Sequence, residues 1–271
     1  MSQTLRYRRL NGAKKNKLEE AGVANREGRA VFVTGAGGGL GLAIARAFAD
    51  TGAQVGMLDL DGDLLERAVA DFPAGQAFPY VCDVSKRTNV KAAIDDFAAR
   101  TGGLDVVVNN AVYFHYAPLV EMEESVVGKM LDVGLKGVFW SLQAATPHLI
   151  ARGGGTVINL SSIAVSFSIS NAAVYTAIKG AIDALTRQQA AELGPHHIRV
   201  NALAPGSVVT PGASTVIDAA GWRRRAERTA LGSLATPEEV AAAAVFLASD
   251  AGRAISGVTL KIDAGMTVLG P

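Results

Sequence analysis

Tyr175 and Lys179 stand four residues apart in Tyr175-Thr176-Ala177-Ile178-Lys179, with Ser162 thirteen positions upstream. On a helix, positions i and i+4 share a face, so the phenol and the ammonium come within a side chain's reach. An ammonium held beside a phenol favours the phenolate and is expected to lower the tyrosine pKa from its ordinary value of about 10. A tyrosine tuned in this way works as an acid or a base near neutral pH. A serine hydroxyl arriving from a neighbouring strand end would hold the oxygen of an alcohol or carbonyl between them. By itself the pair is weakly specific, because Tyr-x-x-x-Lys also falls on solvated helix faces.

The elements that would position this group begin near the other end of the chain. Arg29 to Val33 reads as a short buried strand, Thr34-Gly35-Ala36-Gly37-Gly38-Gly39-Leu40-Gly41 as a glycine-rich turn, and Leu42 to Ala49 as a helix with apolar spacing. Such a turn lets backbone N–H groups approach a pyrophosphate, and the helix dipole favours its charge. A lone glycine cluster is equally a flexible turn. Here, however, the next strand, Gln54 to Leu58, ends in Asp59, about 20 residues past the glycines, where an acidic residue takes a ribose hydroxyl pair. Asp59 would repel a 2′-phosphate, which points to NAD rather than NADP.

With both ends in view, the chain from about Ala30 to Met266 resembles the short-chain dehydrogenase/reductase family. Thr34-Gly35-x-x-x-Gly39-x-Gly41 is similar to the family's cofactor motif, Cys82-Asp83-Val84 to its adenine-contacting Asp-Val, and Asn109-Asn110-Ala111 to the start of its Asn-Asn-Ala-Gly. Ser162 closes Ile158-Asn159-Leu160-Ser161-Ser162, and Tyr175 and Lys179 match the catalytic pair. Ile198 to Gly206 resembles the strand and Pro205-Gly206 turn that pass the nicotinamide, with Thr210 just beyond. Thr236-Pro237-Glu238-Glu239-Val240 and Ile262-Asp263-Ala264-Gly265 resemble its C-terminal elements.

The resemblance implies NAD held by Gly35, Gly39, Leu40, Gly41, Asp59, Asp83, Val84, Asn110, Pro205, Gly206, Val208 and Thr210, together with Tyr175 and Lys179. It implies reversible oxidation of a secondary alcohol to a ketone, with Ser162, Tyr175 and Lys179 catalytic and a lid over about residues 206–236. It also implies a homotetramer or homodimer. A ketoreductase working in the reductive direction is the nearest alternative, and Asp59 counts against it because reductive metabolism more often uses NADPH. A degenerate member that binds NAD as a sensor or scaffold is another. Three departures motivate that last reading: Gly134 stands where the family carries an asparagine, and Val112 and Val165 replace glycines. Gly134 removes a side-chain hydrogen-bonder that would support a proton-relaying water, and the valines add bulk near where cofactor and substrate should meet.

At 271 residues, 49% hydrophobic and 19% charged, the chain can bury one large core. Strand patterns alternating with helical ones argue for an α/β, single-domain, Rossmann-like doubly wound parallel sheet with helices on both faces. Right-handed crossovers then bring the strand ends, Ser162 and the Pro205-Gly206 turn to one edge. A net charge of +1 gives no general attraction to nucleic acid or acidic lipid. The sole cysteine, Cys82, excludes an intrachain disulfide. No apolar stretch approaches the roughly 20 residues that span a bilayer, and Val240 to Ala248 reads as a packed helix. With no apolar signal core, a cytoplasmic location is the expectation.

Residues 1–28 carry seven Lys/Arg against three Glu, a local charge of 7 − 3 = +4. They read as a basic extension, either a solvated leader or an arm for an anionic partner. His196 and His197, read as strand neighbours, would point to opposite faces, and no metal site is expected. His115 is a pocket or surface-loop histidine. Asp105 and Asp132 read as loop and helix-face charges with no acid–base partner. Arg223, Arg224 and Arg225 would either catch an acidic substrate group or spread around a solvated helix. Tyr113 and its aromatic neighbours, with Val165, Ser166 and Phe167, point to a mostly apolar pocket.

Overall fold

The computed structural model describes residues 28–215 and 217–269, so the basic extension lies outside the described residues except for Gly28. Apolar runs with no polar alternation must be covered on both faces, which is the condition of strands in a parallel sheet. Seven parallel strands form among the described residues: β1 (Ala30–Thr34), β2 (Gln54–Asp59), β3 (Ala77–Val81), β4 (Val106–Asn109), β5 (Gly155–Leu160), β6 (Ile198–Pro205) and β7 (Thr259–Ile262). Their order in the sheet is β3-β2-β1-β4-β5-β6-β7, the doubly wound arrangement expected. Pro79, which has no N–H to give, lies in the edge strand β3.

Alternate residues of each strand feed two cores. On one face Phe32, Val107 and Val157 pack with Ile94, Leu149 and Ile182. Those last three come from helices α3 (Arg87–Thr101), α5 (Gly137–Ala151) and α6 (Ala173–Leu193). On the other face Val31, Val33, Val106 and Val108 pack with Ile44, Leu65 and Leu247. These belong to α1 (Gly39–Asp50), α2 (Gly62–Val69) and α8 (Pro237–Ala248). The expected packed helix over Val240 to Ala248 is the greater part of α8, whose Thr236 and Glu239 close a reciprocal capping box. Two shorter helices complete the set, α4 (Glu124–Leu131) and α7 (Ala219–Glu227). Among the described residues no helix is long and apolar enough to cross a membrane.

The register brings the working ends of the strands level. Val33 pairs with Val108, Asn109 with Asn159, Leu160 with Leu203, and Pro205 with Ile262. The chain order reverses between β1 and β4, which opens a crevice at their carboxyl ends. A buried amide ladder stiffens the floor there: Asn109 donates to Asn159 at 2.8 Å, and Asn159 donates to Thr186 of α6 at 2.9 Å.

One expectation needs correction, for the paired histidines. His196 ends a 3₁₀ turn and His197 adopts a left-handed conformation with φ 59°, so neither lies on the strand, which begins at Ile198. The Gly194-Pro195 start of that turn, at the end of α6, delays the strand. Asp105 is a structural clamp: it accepts from Arg152 at 2.9 and 3.2 Å and from the Ala30 backbone N–H at 2.8 Å. Asp132 pairs along its own helical turn with Lys136 at 2.7 Å.

Candidate active site

The glycine turn is built as a cradle that excludes side chains at Gly35 and Gly41. Gly35 has φ +65° and Gly39 φ +54°, conformations that disfavour a Cβ. A Cβ on Gly41 would fall 2.0 Å from the Gly35 carbonyl oxygen. Gly38 sits at the N-cap of α1 and offers no side-chain cap, so the first-turn N–H groups face the crevice without a capping oxygen. Asn110 braces this turn, donating its amide to the carbonyls of Thr34 at 3.0 Å and Gly35 at 2.9 Å. The Thr34 hydroxyl accepts from the N–H groups of Asn110 and Ala111, both at 3.1 Å. Sequence reasoning missed this role for Thr34, although its position at the head of the motif is the signal.

Asp59 ends β2 beside the turn and accepts from Gly37 N–H at 2.9 Å and from Asp61 N–H at 3.2 Å. Its carboxylate is therefore fixed at the rim of the cradle. Next along the edge, Asp83 accepts from Ser85 N–H at 2.9 Å and lines a cavity of about 380 Å³ with Leu60, Lys129 and Val133. Val84 beside it is buried. On the far side, Gly206 follows β6 so closely against Asp263 that a Cβ would meet Asp263 Cα at 2.8 Å. Val208 then bridges to Ala235, and Thr210 comes back over the glycine turn, 3.7 Å from where a Gly39 Cβ would stand. Leu40 packs partly buried at the start of α1. A dinucleotide with its pyrophosphate on the α1 N-terminus fits this donor set and this side-chain-free cradle.

Ser162, Tyr175 and Lys179 meet at the middle of the same edge. Ser162 follows β5 and caps a 3₁₀ turn, its oxygen accepting from Ala164 N–H at 3.1 Å. Tyr175 occupies the first turn of α6, and Lys179 follows one turn later on the same face, buried. Lys179 Nζ donates to the Leu160 carbonyl at 2.6 Å and lies 5.7 Å from the Tyr175 ring centroid.

The expected electrostatics are corrected here. Burial pushes the Tyr175 phenol up, and the group that pulls it down is its hydrogen-bond partner Ser162, not Lys179. Lys179 is itself drawn down to about 8 by burial, with the Asp183 carboxylate acting in the opposite direction. Desolvation opposes both charged forms, which raises the phenol and lowers the ammonium.

Gly134 lies buried in a π-helical turn, Asp132–Lys136, between α4 and α5. A Cβ there would stand 3.1 Å from Ile178 Cγ2, so Ile178 fills the space beside the glycine. Val112 is exposed on the loop after Asn110, and Val165 closes the 3₁₀ turn after Ser162. His115 is exposed. Cys82 is buried and unpaired, and burial pushes its thiol up to about 11. Tyr116, from the same loop as His115, packs edge-on against Tyr175 at 5.8 Å.

The family model described as enoyl-(acyl carrier protein) reductase matches residues 35–267. A 2-(S)-hydroxypropyl-CoM dehydrogenase of Xanthobacter autotrophicus is 34% identical over 246 residues, covering 88% of this chain and 96% of its own. The structure of a 3-ketoacyl-(acyl-carrier-protein) reductase from Brucella melitensis, complexed with NADH, superposes with a TM-score of 0.84 at 30% identity, over 89% of this chain and 99% of that one. A 7α-hydroxysteroid dehydrogenase complexed with NADH and 7-oxo glycochenodeoxycholic acid gives 0.84 at 31% identity, over 88% and 94%. The chain belongs to the short-chain dehydrogenase/reductase family. Within that family its similarity runs to dehydrogenases and ketoreductases alike, the two directions of one oxidoreductase reaction.

Proposed function

We propose that this protein is an NAD-dependent oxidoreductase that interconverts a secondary alcohol and a ketone. The observation that carries the reading is the meeting of Ser162, Tyr175 and Lys179 at the sheet edge that also holds the glycine cradle and Asp59. The NADH complexes of two structural neighbours support the cofactor assignment. Asp59, fixed at the rim, repels a 2′-phosphate and so favours NAD.

A nicotinamide bound beside Pro205 and Gly206 supplies the hydride acceptor. Tyr175 takes the hydroxyl proton of the alcohol, and Ser162 donates to the same substrate oxygen as it becomes a carbonyl. Lys179 holds the α6 face against the end of β5 and presents a cation below Tyr175. The segment 206–236 acts as the lid, with Thr210 and α7 covering the crevice.

Absorbance at 340 nm, with NAD or NADP and a panel of secondary alcohols, diols, sugars and hydroxysteroids, tests this. Turnover with NAD well above NADP is expected; equal use of NADP would remove the Asp59 reading. Tyr175→Phe should lower turnover by about 10²–10⁴-fold while NAD still binds. Full activity in that variant sinks the assignment.

A further inference from the structure

Strand β7 runs directly into a tight turn, Asp263–Met266, closed by the Met266 N–H to the Asp263 carbonyl at 3.0 Å. Both central residues have positive φ, Ala264 at 53° and Gly265 at 80°. Glycine suits such a turn, whereas the Cβ of Ala264 is disfavoured in it. Asp263 holds the chain in this form with both of its carboxylate oxygens. One accepts from Gly265 N–H and the other from Thr267 N–H, each at 2.9 Å. A non-glycine residue persists at positive φ only where its surroundings over-determine it, and such positions gather at functional sites.

The turn lies against both stems of the segment 206–236. At the first stem, Gly206 N–H donates to the Ile262 carbonyl at 2.9 Å, and a Cβ on Gly206 would fall 2.8 Å from Asp263 Cα and 3.0 Å from Asp263 Cβ. At the second, Leu231 N–H donates to the Ala264 carbonyl at 3.1 Å, and a Cβ on Gly265 would fall 2.6 Å from that of Ala230. The buried Thr229 stiffens this stem, its hydroxyl accepting from Ser233 N–H at 3.1 Å. Beyond the first stem, Val208 bridges to Ala235 and Thr210 reaches the glycine turn. One four-residue turn thus anchors both stems of the segment that crosses from Pro205-Gly206 to the cradle.

We propose that Asp263 is a positioning residue, which sets the Pro205-Gly206 turn against the nicotinamide half of the cofactor and fixes the spacing of the two lid stems. It acts through Gly206 and through the Ala264 carbonyl. Among the described residues, the Asp263 turn shares no hydrogen bond with β1, β2 or α1, which build the cradle and present Asp59. Its loss is therefore felt on one half of the dinucleotide. This inference rests on the reading of Pro205-Gly206 as the neighbour of the nicotinamide.

Calorimetric titration with NADH and with ADP-ribose, which lacks the nicotinamide, separates the two halves. Asp263→Ala removes two hydrogen bonds and should weaken NADH about tenfold, with ADP-ribose changed by less than about twofold. Asp263→Asn keeps one acceptor oxygen and should fall between Asp263→Ala and the unaltered protein. Gly265→Ala leaves the carboxylate in place but pushes a methyl onto Ala230, and should also weaken NADH selectively; it carries the comparison if Asp263→Ala does not fold. NADH and ADP-ribose weakened alike across these variants would reduce Asp263 to a general stabiliser and overturn the proposal, as would NADH binding that none of them alters. A selective loss of NADH in a protein that oxidises no alcohol would uphold the positioning role and overturn the assigned reaction. Unaltered protein that binds neither ligand would overturn the cofactor reading and this proposal with it.

Discussion

Lys179 brings its ammonium against the Leu160 carbonyl, in a setting where burial draws the group down to about 8. That fixes the sign of a pH effect on stability. Between pH 8 and the ordinary lysine value of about 10.4, the unfolded chain holds a proton that the folded chain has released. Stability on this group's account is flat below the window and rises with pH through it. Tyr175 acts in the opposite sense only above its ordinary value of about 10, because burial raises it. Urea unfolding of the wild type and Lys179→Met from pH 7 to 9.5 should show the wild type gaining on the variant above pH 8. Parallel profiles would mean that the lysine keeps its proton in the folded protein. The same residue shows how a pair spaced for mutual tuning is altered by its setting: burial raises the Tyr175 phenol, and Ser162, thirteen residues before that tyrosine, acts in the opposite direction.

At the scale of elements, the π-helical turn Asp132–Lys136 and helix α6 are fitted to each other through Gly134 and Ile178. π-helical turns concentrate at functional sites, and this one lies against the turn of α6 that carries Lys179. An asparagine at 134 would press on a side chain that is only 2% exposed and has nowhere to move. Gly134→Asn alone is therefore expected to destabilise by about 1–3 kcal/mol, as overpacking does. Ile178→Ala alone leaves a cavity and costs about 2–5 kcal/mol. The double variant should lose clearly less than the sum of the two, because each change makes room for or fills the other. Strict additivity in a urea-denaturation cycle would show that the two residues are not coupled.

Across the whole molecule, the late strands are held to the helical layer by one partly buried cation. Arg199, on β6, donates from Nη1 to the carbonyls of Leu247, Gly252 and Ile255 and from Nη2 to the Thr156 hydroxyl. It thereby joins β5, β6, the end of α8 and the approach to β7. Asp105 does the corresponding work at the centre of the sheet, clamping Arg152 and the first residue of β1. Arg199→Met would strand three carbonyls and is expected to cost about 2–4 kcal/mol, read as a lower urea midpoint with an unchanged m value. An unaltered midpoint would mean that water replaces the guanidinium there. The cradle is built from turns between these strands, so its geometry depends on such ties.

What the sequence by itself determined is what short-range physics encodes. Uninterrupted apolar strands, the glycine-rich turn before α1 and the acid at the end of β2 each depend on residues a few positions apart. They were legible for that reason, and with them the sheet edge on which Ser162, Tyr175 and Lys179 meet. The tertiary structure alone decided what depends on burial and on contacts between distant segments. The Tyr175 and Lys179 proton affinities follow from desolvation, which no spacing records. The fit of Ile178 to Gly134 spans 44 residues of chain, and the edge-on packing of Tyr116 on Tyr175 spans 59. Three consecutive arginines look alike in a sequence; the folded chain leaves Arg223 and Arg224 exposed and turns Arg225 over Trp222, partly buried.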